Sequence, residues 1–278
     1  MLFLNHGLIT LISLFFITAC SSSVTQIQLH ELGEVVDLHT GQRLSPMQFA
    51  KQIATHDYLL IGEQHDELKH HQAQFWLLKQ LQQTRAQGSI ALEMLSIDQQ
   101  ADIAKISQNP SAYMHNLPSI LRWKQSWNWA YYADLIQSAF ANQTEVLATN
   151  LTQEEVQTLM RGAEPLNGYR STTTNVQQKI ADLITAQHGF ETTSGKNSEI
   201  IRKMVQVQQF RDRRMAEKLA QAKTPSLLIA GNHHVNRQIG VPLHLADLAP
   251  NIKITSILLG ATSENISAKD ADYYWILK

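Results

Sequence analysis

Two short polar segments share one layout. Gly62-Glu63-Gln64-His65 and Gly231-Asn232-His233-His234 each place a histidine three positions after a glycine. Each follows an apolar run at once: Tyr58-Leu59-Leu60-Ile61 in the first case, Leu227-Leu228-Ile229-Ala230 in the second. Two further runs end in polar residues, Ile90-Ala91-Leu92 in Glu93 and Val146-Leu147-Ala148 in Thr149-Asn150. Glutamate and imidazole side chains in this pattern suit general acid–base work, or a divalent metal that lowers the pKa of a bound water. If the runs are neighbouring strands of an open parallel sheet, Glu63, His65, Glu93, Asn150, Asn232 and His234 converge beyond its carboxyl edge. That is where such sheets bind ligands, and the glycines allow the chain to turn and a ligand to approach. The plain structural alternative makes Glu63 and His65 the first residues of a helix, where a carboxylate favours the dipole.

Other segments carry weaker signals. Asp66-Glu67-Leu68-Lys69-His70-His71 lacks the His-Glu-x-x-His spacing of a metalloprotease; if helical, Asp66/His70 and Glu67/His71 are i,i+4 pairs. In Trp123-Lys124-Gln125-Ser126-Trp127-Asn128-Trp129-Ala130-Tyr131-Tyr132, helical spacing sets Trp123, Trp127 and Tyr131 on one stripe and Tyr132 on a neighbouring face. Such a stripe is ordinarily core packing. It is also the surface a flat apolar ligand such as haem needs, and a phenolate serves as an axial ligand to ferric iron. Arg211-Asp212-Arg213-Arg214 reads as a solvated helix face, a buried ion pair or an anion site. Gly195-Lys196-Asn197 lacks the upstream glycine and the Ser or Thr of a phosphate-binding loop. No Gly-x-Ser-x-Gly elbow or dinucleotide glycine pattern occurs, so no motif points to serine hydrolase chemistry or nucleotide binding.

The elements that must position these residues follow from the apolar pattern. The four runs, with Ile254-Thr255-Ser256-Ile257-Leu258-Leu259, read as strands buried on both faces, and amphipathic stretches at 69–86, 129–141, 176–187 and 198–222 read as helices between them. In the second of these, Leu135, Ile136 and Ala139 share one face. Glu34 to Leu44 reads as a hairpin turning at Thr40-Gly41, and Tyr273-Tyr274-Trp275-Ile276 as a last strand. About 152–222 offers no strand. The expectation is an α/β fold: a parallel sheet flanked by helices, with a smaller all-helical insertion over about 152–222.

The N-terminus bounds the compartment. Met1 to Cys20 contain no Lys, Arg, Asp or Glu. The apolar run Leu8–Ile17 is shorter than the roughly 20 residues of a membrane span and suits a secretory signal. Ile17-Thr18-Ala19-Cys20 resembles a bacterial lipobox, which implies that Cys20 is acylated and becomes the mature N-terminus, with Ser21-Ser22-Ser23 as a tether. Ser rather than Asp at position 21 implies sorting to the outer membrane. The division is a signal peptide over 1–20 and one α/β domain over 21–278. Cys20 is the only cysteine, so the folded part has no disulfide, thiolate metal site or cysteine nucleophile. With 23 basic and 24 acidic residues the net charge is −1, and no basic stripe invites nucleic acid.

Taken together, the segments resemble the ChaN-like haem-binding lipoproteins of the Tiki superfamily. The resemblance runs in order through Ile61–His65, Ala91–Met94, Tyr132–Ile136, Ala148–Leu151, Arg211–Ala216, Gly231–Val235, Gly240–Leu245 and Asp272–Trp275. It implies haem held between two subunits of a homodimer, with a tyrosine on iron and histidine near the propionates. By motif position the tyrosine is Tyr132, with Tyr131 as the alternative, and His234 and His65 are the histidines. Asn150, Asn232, Arg211 and Asp212 are supporting polar residues. It further implies a part in haem or iron acquisition at the outer membrane, with an outer-membrane haem receptor as a possible partner. The wider superfamily implies an alternative: a divalent-metal-dependent hydrolase of peptidase or esterase type. Glu63, His65, Glu93 and His234 would then hold the metal, with Glu63 or Glu93 as base. The family's Gly-Asn-Gly-His reads Gly231-Asn232-His233-His234 here, and Asn236 with Arg237 stands where an arginine is expected.

Overall fold

The computed structural model describes residues 27, 28, 30–189, 195–262 and 266–278; the expected signal peptide, Cys20 and the serine tether lie outside them. In chain order the elements are β1 (Glu34–Asp37), β2 (Arg43–Leu44), α1 (Pro46–Ile53), β3 (Tyr58–Ile61), α2 (Leu68–Gln82) and β4 (Ser89–Ser96). Next come α3 (Gln100–Gln108), the short α4 (Pro110–Tyr113) and α5 (Leu117–Ile120), α6 (Trp129–Ala141) and β5 (Glu145–Asn150). Then follow α7 (Gln153–Gly162), α8 (Thr174–His188), α9 (Gly195–Ala220), β6 (Ser226–Ile229), α10 (Asn232–Val235), α11 (Val241–Leu248), β7 (Ile254–Gly260) and β8 (Tyr273–Ile276).

The eight strands form one sheet in the order β2-β1-β8-β7-β3-β6-β4-β5. From β8 to β5 every pairing is parallel, and β1 and β2 add an antiparallel edge. The central strands are apolar throughout because both faces are covered. Leu59, Ile61, Ile90, Leu92, Leu227 and Ile229 join one core with residues of α1, α2, α3 and α6. Leu60, Ala91 and Leu228 point the other way, against Met215, Ala216 and Leu219 of α9 and Val241 and Leu245 of α11.

Between β5 and β6 the described residues form α7, α8 and α9, with α8 and α9 sharing a core of their own through Val176, Ile180, Ile201 and Val205. Local signals start these helices. Thr152 and Glu155 form a capping box at α7, and Thr173 caps α8, which ends at Gly189 in the left-handed conformation (φ 62°). Among the described residues no helix is long and apolar enough to cross a membrane.

Two expectations need correction. Trp123 and Trp127 do not extend the helix that carries Tyr131. α6 begins at Trp129 behind its Asn128 cap, and the indole of Trp123 donates to the Trp127 carbonyl at 2.8 Å. The segment from Asp66 to His71 is likewise not all helix. Glu67 is the N-cap of α2, and His70 and His71 turn inward, 1% and 3% exposed, where i,i+4 pairing would have kept them on the surface.

Candidate functional site

β3, β6 and β4 are neighbours, so the segments that follow them meet at one edge. Glu63 leaves the end of β3, Gly231 and α10 follow β6, and Glu93 sits within β4 in the irregular stretch between Leu92 and Ser96. Gly62 is required here: a Cβ on it would run into the side chain and Cα of Asn232. Asn232 in turn ties the rim to β7, donating to the Leu259 carbonyl at 2.8 Å and accepting from the Leu259 N–H at 3.2 Å. Asn150, at the end of β5, donates to the Glu93 carbonyl at 2.9 Å. The convergence expected of Glu63, His65, Glu93, Asn150, Asn232 and His234 is what the topology produces.

The carboxylates and histidines divide into two groups. In the first, Glu63 is 2% exposed and surrounded by donors. Tyr132 Oη–H donates to Glu63 Oε1 at 2.5 Å, His65 Nδ1–H to the same oxygen at 2.9 Å, and Gln74 Nε2–H to Oε2 at 2.9 Å. His71 Nε2–H donates to the His65 carbonyl at 3.1 Å, and its Nδ1 lies 3.4 Å from Glu63 Oε2. His70 Nδ1 accepts from the Gln64 N–H at 2.9 Å, which requires neutral imidazole, and burial holds its pKa down at about 4. With Nδ1 on Glu63, His65 turns Nε2 toward Gly231, where a Cβ would stand 3.0 Å away. Burial opposes protonation of His65, yet its hydrogen bond to Glu63 and the charge of Glu93 raise its pKa on balance.

In the second group His234 lies between two acids. Its Nε2 is 3.2 Å from Glu93 Oε1 and its Nδ1 2.5 Å from Asp212 Oδ1 on α9. Glu93 Oε2 also accepts the Gly231 N–H at 2.8 Å. All three side chains are buried. Burial disfavours the His234 cation, but the two carboxylates outweigh it and raise its pKa to about 10. Burial likewise opposes the Glu93 carboxylate, and His234 brings it down to about 2. Asp212, with Oδ2 unpartnered, is carried by burial up to about 6. Asp212 does form a buried ion pair, but with His234 and not with a flanking arginine: Arg213 and Arg214 turn to Asp247 and Glu155.

A cavity of about 850 Å³ opens over this edge, within the size range of small-molecule and cofactor sites. Glu63, His65, Tyr131, Asn232 and His233 line it on the polar side, and Leu183, Leu258 and Ile239 among others on the apolar side. The expected ligand residues stand unequally to it. His65 is accessible, its side chain 41% exposed, and stacks edge-on against Trp127, 4.8 Å between centroids. Tyr131 lines the cavity and stacks on His71, 4.9 Å between centroids at 30°. Tyr132 does not line it: the ring is 1% exposed, and burial together with the Glu63 carboxylate pushes its pKa far up. His234 is turned away, between Glu93 and Asp212. His233, where the family pattern has glycine, occupies an ordinary helical position in α10, so no left-handed backbone demands glycine there. Its side chain is exposed to the cavity, Nε2 2.9 Å from the Gln187 amide.

Gln74 and Gln208 complete the site but belong to none of the motifs the sequence offers. Gln208 Nε2 lies 3.0 Å from His234 Nδ1. Both are helix residues whose amides reach the site, Gln74 at Glu63 and Gln208 at His234, and the only signal for them is a glutamine on the helix face that otherwise packs inward.

A flat apolar ligand with anionic groups fits the donor set. The cavity has apolar walls, an accessible phenol and histidines at its rim. A catalytic divalent metal does not fit. Glu63 and His65 are hydrogen-bonded to each other, Glu93 and His234 are ion-paired to each other, and among the described residues no group of three or more His, Cys, Asp or Glu is disposed to hold a metal ion.

Comparison with known proteins bears on this site. A family model described as haem-binding uptake, Tiki superfamily, ChaN matches residues 49–245. Among solved structures, one described as cofacial heme binding to ChaN of Campylobacter jejuni is 33% identical, covers 88% of this chain and 96% of its own, and superposes with a TM-score of 0.81. An erythromycin esterase, EreC, in its open conformation shares 13% identity over 88% of this chain and 82% of its own, at a TM-score of 0.46. That likeness is too distant to bear on chemistry. Among curated proteins there is no match.

Proposed function

The chain belongs to the ChaN family of haem-binding uptake proteins in the Tiki superfamily, and from that premise we propose that it is a lipid-anchored haem-binding protein of the bacterial outer membrane, acting in haem or iron acquisition. The observation that carries the reading is the cavity beyond β3 and β6, because Tyr131 and His65 both reach it. A phenolate is an established axial ligand to ferric iron. Tyr131 is assigned that role and His65, with His233 beside it, the propionates. Tyr132 and His234 are assigned supporting roles, the first holding Glu63 and the second neutralising Glu93. The ligand shared between two copies in a homodimer, the anchor at Cys20 and delivery to or from an outer-membrane receptor belong to the same proposal.

The test is an absorption titration of the full-length chain, in detergent, with ferric haem. A saturable spectrum typical of tyrosinate-ligated ferric haem is expected. It should survive Glu63→Gln with little change, because Glu63 orients the rim and does not touch the iron. Non-saturating, detergent-like spectra would refute the reading.

A further inference from the structure

A second cavity, of about 350 Å³, lies on the far side of Tyr131 between α2 and α6. Tyr131 lines both cavities, and its stack with His71 is the partition between them. Phe75, Trp76, Tyr131 and His71 give the second cavity an aromatic wall. Asp134, one turn after Tyr131 on α6, also lines it, and nothing in the described fold pairs with this carboxylate: it makes no ion pair and no hydrogen bond. Asp134 falls within Tyr132–Ile136, one of the segments on which the family resemblance rests, and the site described above makes no use of it. Its burial, with no cation to offset it, raises its proton affinity above the usual carboxylate range. Lys79 stands at the exposed mouth without reaching it.

A half-buried carboxylate without a counter-charge, set among aromatic rings, is an arrangement that a cation completes twice over. The cation gains a charge-assisted hydrogen bond to the acid and attraction from the ring faces. Among the described residues no Lys or Arg of the chain lies over these rings. We propose that this cavity binds a small organic ammonium compound carrying an apolar or aromatic group, its nitrogen on Asp134 and its apolar part against Phe75 and Trp76. The site is separate from the haem cavity and meets it only through the Tyr131–His71 partition.

Calorimetric titration of the full-length chain in detergent with phenethylammonium tests this, with 2-phenylethanol as the neutral analogue and phenylacetate as the anionic one. Phenethylammonium should bind saturably and at least about tenfold more tightly than 2-phenylethanol, the margin a charge-assisted hydrogen bond supports. Asp134→Asn should remove that margin. The comparison of the three probes on the unaltered chain stands whether or not the variant folds. Absence of saturable binding, equal binding of the ammonium and the alcohol, or a preference for phenylacetate that disappears in Lys79→Gln would each overturn the assignment. Haem titration is read separately, so failure here leaves the haem assignment untouched.

Discussion

His234 stands between Glu93 and Asp212, all three buried with little solvent to screen them. Removing the cation leaves two buried acids uncompensated, a loss that costs about 3–5 kcal/mol when one partner of a buried pair is deleted. His234→Gln should therefore lower unfolding stability by about that amount in urea titrations. The pH dependence has a definite sign. His234 rises from 6.5 to about 10 on folding, so its contribution is complete below pH 6.5 and is lost as pH climbs through 10. Glu93 falls from 4.5 to about 2, so its contribution is present above pH 4.5 and lost as pH drops through 2. Asp212 opposes this on the acid side: raised from 3.8 to about 6, it favours the fold fully below pH 3.8 and ceases to do so as pH rises through 6. The alkaline decline between pH 6.5 and 10 therefore belongs to His234, and urea titrations across that range should show it flattened in His234→Gln. At this scale much was legible: glycine spacing and strand ends singled out Glu63, His65, Glu93 and His234. What stayed hidden was which groups pair. Asp212 meets His234 across 22 positions, and Tyr132 meets Glu63 across 69, and no local pattern reports a contact that the sheet order creates.

The elements read well where both faces are covered. Tyr58–Ile61 and the run beginning at Ile254 were visible as strands because continuous apolar stretches of that length have few other uses in an α/β fold. The helical region after β5 followed from the absence of strand signals. The turn at Trp123–Asn128 did not, since aromatic residues at helical spacing also pack well from an irregular segment. That turn matters because Asn128 sets where α6 starts and so where Tyr131 points. The rim glycine offers an element-scale test. A Cβ at Gly62 would meet the Asn232 side chain, which straps β7 to the rim. Gly62→Ala should cost about 1–3 kcal/mol, the usual penalty for overpacking, read as a lowered melting temperature. Asn232→Ala, which clears the space and breaks the strap, should not restore stability when combined with it.

For the whole molecule, the sheet provides a frame whose carboxyl edge carries the polar residues, and helices α8 and α9 add Leu183 and Gln187 to the cavity lining and Asp212 to the ion pair. The proposed anchor places this frame at a membrane through one residue. Cys20→Ser should move the protein from the membrane to the soluble fraction on cell fractionation and leave haem affinity unchanged, since Cys20 lies well before the first residue at the cavity. Persistent membrane association of the variant would contradict the lipid anchor. The shared-ligand proposal predicts that sedimentation velocity shows dimer increasing with added haem. A monomer at haem saturation would contradict it.

The most direct measurement is the ferric haem spectrum of Tyr131→Phe beside that of Tyr132→Phe. The accessible phenol of Tyr131 and the buried, Glu63-bound phenol of Tyr132 predict different results. Tyr131→Phe should abolish the tyrosinate bands and weaken binding, and Tyr132→Phe should retain the bands. Loss of the bands in Tyr132→Phe alone would contradict the assignment and require Glu63 to release Tyr132 when haem binds; their retention in both variants would remove tyrosine from the iron altogether.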